Sequence, residues 1–186
     1  MLSDKAAHVI SAVISFPVIS LVEFTALTIL ENPPLPYALL FLILHVVTPF
    51  TPPLIYSKVL KRGDIFVSKR EDRIPLFMPG LLAYLVAAIF FKWKNYILIA
   101  GLELVSFTST LILFIISFKW KISIHMASLT LPISYFTLVG YPQTLIFSLL
   151  VPLLAWARVK VKAHTPSQVL AGSIVGVLAS LAFLLI

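Results

Sequence analysis

Long apolar runs separated by short polar punctuation set the pattern of this chain. A membrane-crossing helix needs about 20 mostly apolar residues. Seven runs approach that length, near 6–30, 37–60, 74–91, 96–118, 125–139, 143–156 and 166–186. Glu31-Asn32-Pro33-Pro34 ends the first, Lys92-Trp93-Lys94-Asn95 turns the third into the fourth, and Gly140-Tyr141-Pro142 ends the fifth. The fifth and sixth runs are short, and a single tilted hairpin that stops short of full bilayer thickness is the alternative reading. Pro49, Pro52 and Pro53 lie inside the second run. Each removes a backbone donor, which predicts a break or kink there. Thr165 or Ser167 can cap the last helix, with Pro166 in its first turn. Gly172 and Gly176 give that helix a small face suited to close packing in lipid. The first run is too long for a signal peptide and lacks a small-residue cleavage site, so it is read as a retained helix.

Composition agrees. The chain has 186 residues, 60% of them hydrophobic and 11% charged, with a mean hydropathy of +1.07. Soluble domains carry about 25% charged residues. The expectation is an all-α polytopic transmembrane bundle of six or seven spans, one domain over residues 1–186. No cysteine is present, which excludes disulfides, thiolate metal sites and a cysteine nucleophile. The four histidines form no pair at metal-ligand spacing, and no aspartate-rich motif for magnesium and pyrophosphate occurs. No metal or cofactor is therefore expected.

Charge decides the partners and the side. The net charge of +7 comes from residues in short loops between apolar runs, a pattern that fits anionic headgroups and membrane topology rather than nucleic acid. With seven spans, the N-terminus, the 61–73 loop, the 119–125 segment and the 158–164 segment share one face. Twelve of the 14 basic residues lie there, and only Lys92 and Lys94 lie opposite. Positive loops stay cytoplasmic, so that face is predicted to be the cytoplasmic one of the cell membrane.

Three clusters on that face carry candidate chemistry. The first is Lys69, Arg70 and Arg73, which share a face if helical. The second is Lys119, Lys121, Ser123 and His125. The third is Arg158 and His164, with Gln168 one turn beyond. Guanidinium groups clamp phosphate oxygens in pairs. Imidazole serves as nucleophile, acid or base near neutral pH. His164 falls near a helix N-terminus, where anions are favoured, and Gln168 is placed to hold its tautomer. The plain alternative for each cluster is a basic membrane-flanking segment with snorkelling lysines.

The spacing Arg158-x5-His164, the segment Ser123-Ile124-His125 and Arg73-Ile74-Pro75 together resemble the type-2 phosphatidic acid phosphatase superfamily. That superfamily includes lipid phosphate phosphatases and vanadium haloperoxidases. Its pattern is Lys-x6-Arg-Pro, Pro-Ser-Gly-His and Ser-Arg-x5-His-x3-Asp, and the likeness covers about residues 60–180. The resemblance implies that His164 attacks phosphorus to form a phosphohistidine and that His125 protonates the leaving oxygen. It further implies that Arg73, Arg158 and Ser123 hold the phosphate without a metal. The family's lysine position is Phe66 here, with Lys69 or Arg70 as substitutes from the next turn. Its orienting aspartate is Gln168, and Asp64, Glu71 or Asp72 could return the missing charge. The implied partner is a lipid phosphate or isoprenyl pyrophosphate.

Glu23 and Glu103 fall inside the first and fourth runs, where ionisable groups are costly and either paired or functional. Lys92, Lys94 or a proton shared between the two acids could compensate them. They keep open a second reading, a non-enzymatic transporter or lipid-binding membrane protein. His45 reads as a buried, hydrogen-bonded histidine.

Overall fold

The computed structural model describes residues 2–65, 67 and 69–186. In chain order the helices are α1 (Leu2–Val13), α2 (Phe16–Glu31), α3 (Leu35–Leu42), α4 (Thr48–Leu54), α5 (Arg70–Trp93), α6 (Ile97–Ser117), α7 (Ile124–Leu138), α8 (Leu150–Lys160) and α9 (Pro166–Ser180). Two π-helical segments, Ile43–Val47 and Ile55–Val59, flank α4, and 3-10 turns Pro142–Leu149 and Leu181–Leu185 precede α8 and follow α9. Six stretches are long and apolar enough to cross a membrane: Ser3–Glu31, Leu35–Val59, Arg70–Trp93, Ile97–Ser117, Pro142–Lys160 and Pro166–Leu185. The chain is an all-α bundle of the membrane type, and no strand occurs among the described residues.

The first run is not one straight helix. It breaks at Ile14–Ser15, where Ser15 is extended (φ −111°, ψ 159°) and Pro17 sits in the first turn of α2. A proline is welcome there but would clash inside a continuous helix. The second run, by contrast, does not break. It continues from Leu35 to Val59 and carries its prolines in α4, between the two wider π-helical segments. The hydroxyls of Thr48 and Thr51 donate to the carbonyls of Ile43 and Val47 at 2.9 and 2.7 Å.

Parts of two cationic clusters expected in loops lie on helices instead. α5 begins at Arg70, and Glu71 and Asp72 in its first turn suit the positive end of the helix dipole. α8 runs on through Arg158 to Lys160, basic residues suited to its negative end.

The fifth run forms α7, with 15 residues, nine of them buried. It is apolar on all sides, as suits a helix enclosed by others, and is shorter than the roughly 20 residues of a full crossing. α9 packs along it. A Cβ on Gly172 would run into the Ser123 carbonyl, and one on Gly176 into the Thr130 hydroxyl. The same hydroxyl donates to the Ser173 carbonyl at 2.9 Å. The small face expected at Gly172 and Gly176 is thus the α7–α9 contact.

The two ends of the bundle differ. At the end away from the three clusters, Leu27, Phe41, Phe91, Ile99, Leu102 and Tyr135 form a close-packed core. There Glu31 caps α6, accepting the backbone N–H of Leu98 and of Ile99 at 2.8 Å each. The cluster end is looser and holds the cavity described next.

Candidate active site

A cavity of about 390 Å³ opens between the α1–α2 break, α4 and α5. Ser15, Phe16 and Pro17 wall one side, and Pro49, Phe50 and Pro53 another. Arg73, His125 and His164 line it together with these apolar groups. Three residues that are 91 positions apart in sequence at the extremes, Arg73 to His164, thus share one space.

Each arrives by a local device. Arg73, one turn into α5, is buried and donates from Nε to the Val67 carbonyl (2.7 Å) and from Nη1 to the Ile122 carbonyl (3.2 Å). It therefore stitches the segment before α5 to the segment before α7. His125 sits in the first turn of α7, directly after the N-cap Ser123 and Ile124. The Ser123 backbone N–H donates to the Gln168 carbonyl at 3.3 Å, which ties that segment to α9. After α8, Lys162 adopts φ 55° and the amides of Ala163 and His164 both donate to the Arg158 carbonyl. This tight reversal carries His164 back beside the helix that bears Arg158.

Gln168 fixes the imidazole. Its Oε1 accepts the backbone N–H of Thr165 at 3.2 Å, half of a capping box completed by Gln168 N–H donating to Thr165 Oγ1 at 3.4 Å. A backbone donor requires an acceptor, so the amide oxygen faces this way. The same oxygen lies 3.2 Å from His164 Nδ1. Nδ1 must then carry the proton, and Nε2 keeps its lone pair. Burial first, then the charges of Arg158, Arg73 and Lys121, push the His164 pKa down to about 3, against the pull of Gln168. The imidazole is neutral at pH 7.

Lys121, half-buried, is held below the ordinary lysine range by burial and by the guanidinium groups of Arg73 and Arg158, with Asp64 acting the other way. Asp64 also acts on Arg73 and Arg158. Of the three acids considered from sequence, it is the one that faces the cluster. Glu71 instead pairs with Arg70 at 2.8 Å, and Asp72 accepts the Tyr56 hydroxyl at 2.6 Å.

Not every sequence candidate arrives. Lys69 is an exposed N-cap, and Arg70 turns outward to Glu71. Neither lines the cavity, because the first turn of α5 presents only Arg73 inward. Neither therefore stands in for the family's lysine, and Phe66 lies outside the described residues. Ser123 is fully buried, and its hydroxyl has no hydrogen-bond partner among the described residues. Arg158, also buried, acts on His164 through charge and does not line the cavity.

Sequence reasoning missed the apolar wall. The α1–α2 break read as continuous membrane helix, whereas the break or kink expected at Pro49, Pro52 and Pro53 is a span that continues through α4. It also mispaired the acids. His45 Nε2 lies 3.1 Å from Glu23 Oε2, and His45 Nδ1 lies 3.0 Å from Glu103 Oε1. Lys94 places its ammonium over the Trp93 ring, 3.8 Å from the centroid.

No protein family, no curated protein and no solved structure matches this chain.

Proposed function

We propose that this protein is a membrane-embedded phosphatase that removes phosphate from a lipid phosphate or an isoprenyl pyrophosphate. The observation that carries the reading is the oriented His164. Its Nδ1–H is committed to Gln168, and its neutral Nε2 is available beside a cavity that also holds Arg73 and His125. In this reading Nε2 attacks phosphorus and the P–O bond to the leaving group breaks, an alcohol from a phosphate monoester or an isoprenyl phosphate from a pyrophosphate. His125 supplies the proton to the leaving oxygen, and water then cleaves the phosphohistidine. Arg73, Arg158 and Lys121 offset the charge on the phosphoryl oxygens, so the chemistry calls for no metal. The apolar walls from Ser15–Pro17 and α4 would shelter the first carbons of the tail. The cluster face is proposed to be cytoplasmic, from its share of basic residues; an external reporter signal from the 161–165 loop would overturn that side.

The test is phosphate release by the purified protein in detergent with EDTA present, on phosphatidate, phosphatidylglycerophosphate and isoprenyl pyrophosphates. Release should vanish in His164→Ala while the melting temperature holds. Full activity in that variant would refute the mechanism. The buried acids joined by His45 favour a second reading, a proton-coupled transporter, and flux that depends on Glu103 would support it.

A further inference from the structure

Beside the main cavity lies a second chamber of about 50 Å³. Water occupies about 30 Å³ in the liquid, so the space suits one ion or one to two waters. Its lining is unusually polar for a membrane interior. It includes Glu23, His45, Tyr84 and the hydroxyls of Ser106, Ser109, Thr110 and Ser128. It shares Phe16, Tyr84 and Ile124 with the main cavity. It is thus reached from the cluster face, while the close-packed core around Leu27, Phe41 and Leu102 closes the opposite side.

Glu103 stands behind His45. It is fully buried, and neither carboxylate oxygen has a hydrogen-bond partner among the described residues. Its Oε1 is within ion-pair distance of His45 Nδ1 but out of line for a hydrogen bond. His45 lies on the π-helical segment Ile43–Val47, and such segments in helices frequently mark functional positions. The groups that face the triad are few. Glu23 comes from α2, Tyr84 from α5, Glu103 from α6, and Ser128 from α7. Among the described residues these helices bring no lysine or arginine to the chamber. Two carboxylates and one imidazolium leave a single uncompensated negative charge, which a low-dielectric interior does not tolerate.

We infer that Glu23, His45 and Glu103 form a binding site for one monovalent cation, a proton or a sodium ion, drawn from the water-sized chamber. As a proton, it passes from chamber water to the Glu23 carboxylate, which becomes a carboxylic acid beside the imidazolium and the Glu103 carboxylate. Nothing is oxidised, and the triad becomes neutral. As sodium, it sits in the chamber on the Glu23 carboxylate and the surrounding hydroxyls. The carboxylates do not converge on one histidine nitrogen, which disfavours a transition metal. This site is independent of any phosphatase activity.

Infrared difference spectra of the purified full-length protein, titrated between about pH 5 and 9 in potassium or sodium buffer, test it. A carboxylic-acid band equal to one proton, lost on raising the pH and absent in Glu103→Gln or Glu23→Gln, establishes the proton. A band whose midpoint falls as sodium rises, with radioactive sodium retained by wild type and lost in Glu23→Gln, establishes sodium. Spectra of folded wild type that respond to neither pH nor sodium overturn the site, and that result needs no variant to fold.

Discussion

The cleft around His164 and the triad around His45 use the same residue type for opposite ends. In the cleft, guanidinium groups crowd a neutral imidazole, a setting that suits the phosphate of the proposed substrate. In the triad, two carboxylates flank an imidazole, a setting that suits the proposed monovalent cation. The cleft opens into a cavity of about 390 Å³, the triad only into a space of about 50 Å³. A histidine's role here is set by the sign of its neighbours and by the room beside it.

The sharpest break is in the cleft. His164→Ala should reduce phosphate release to background, and His125→Ala should cost about 10²–10⁴-fold, both read as kcat with the melting temperature unchanged. An equal loss in the His45→Ala variant would erase the distinction between the two histidines. The triad should answer in stability. His45→Ala takes away the group that lies between Glu23 and Glu103 and should cost about 3–5 kcal/mol, visible as a lower melting temperature in detergent; retention of wild-type stability would mean that the two acids do not depend on His45.

Packing comes next. Gly176→Ala drives a methyl into the Thr130 hydroxyl and should cost about 1–3 kcal/mol. Because α7 carries His125, kcat should fall with it, whereas an equal loss of stability at the opposite end should leave kcat intact.

The smallest effect is a pH shift. The folded pKa of His164 is about 3, below its ordinary 6.5, so the unfolded chain binds more protons between those values. Stability from this group is complete above about pH 6.5 and declines as the pH falls toward 3. Gln168→Asp places a carboxylate on Nδ1 and should raise that pKa, moving the acid limb of kcat/KM upward. An unmoved limb would remove Gln168 from contact with His164 in the working protein.

The helical architecture was legible because lipid forces long apolar runs into helices, and the runs are explicit in the chain. The third cluster was legible for a local reason: Arg158, His164 and Gln168 lie within one reversal and one helical turn. Lys69 and Arg70 misled because spacing on a helix fixes a shared face, not which way that face turns. Only the packing of α5 decides that Arg73 alone goes inward. The triad was hidden because Glu23, His45 and Glu103 lie on three different spans, and nothing in an apolar run states which neighbour it meets. The cavity wall was hidden for a related reason. Pro17 and Pro49 look alike in sequence, yet one follows a break between two helices and the other sits in α4, just past a π-helical segment, in a span that does not break.

Glu31 meets partners 67 and 68 residues later in the chain. During synthesis at about 5–20 residues per second, that carboxylate is made several seconds before the amides it will cap. Until the α5–α6 hairpin arrives, the first two spans have only lipid and their mutual contacts, such as Phe24 against Phe41 and His45 beside Glu23, and the latch at the far end of the bundle closes only then. Assembly of this protein has a built-in order, with α6 as the element that signs off the first half.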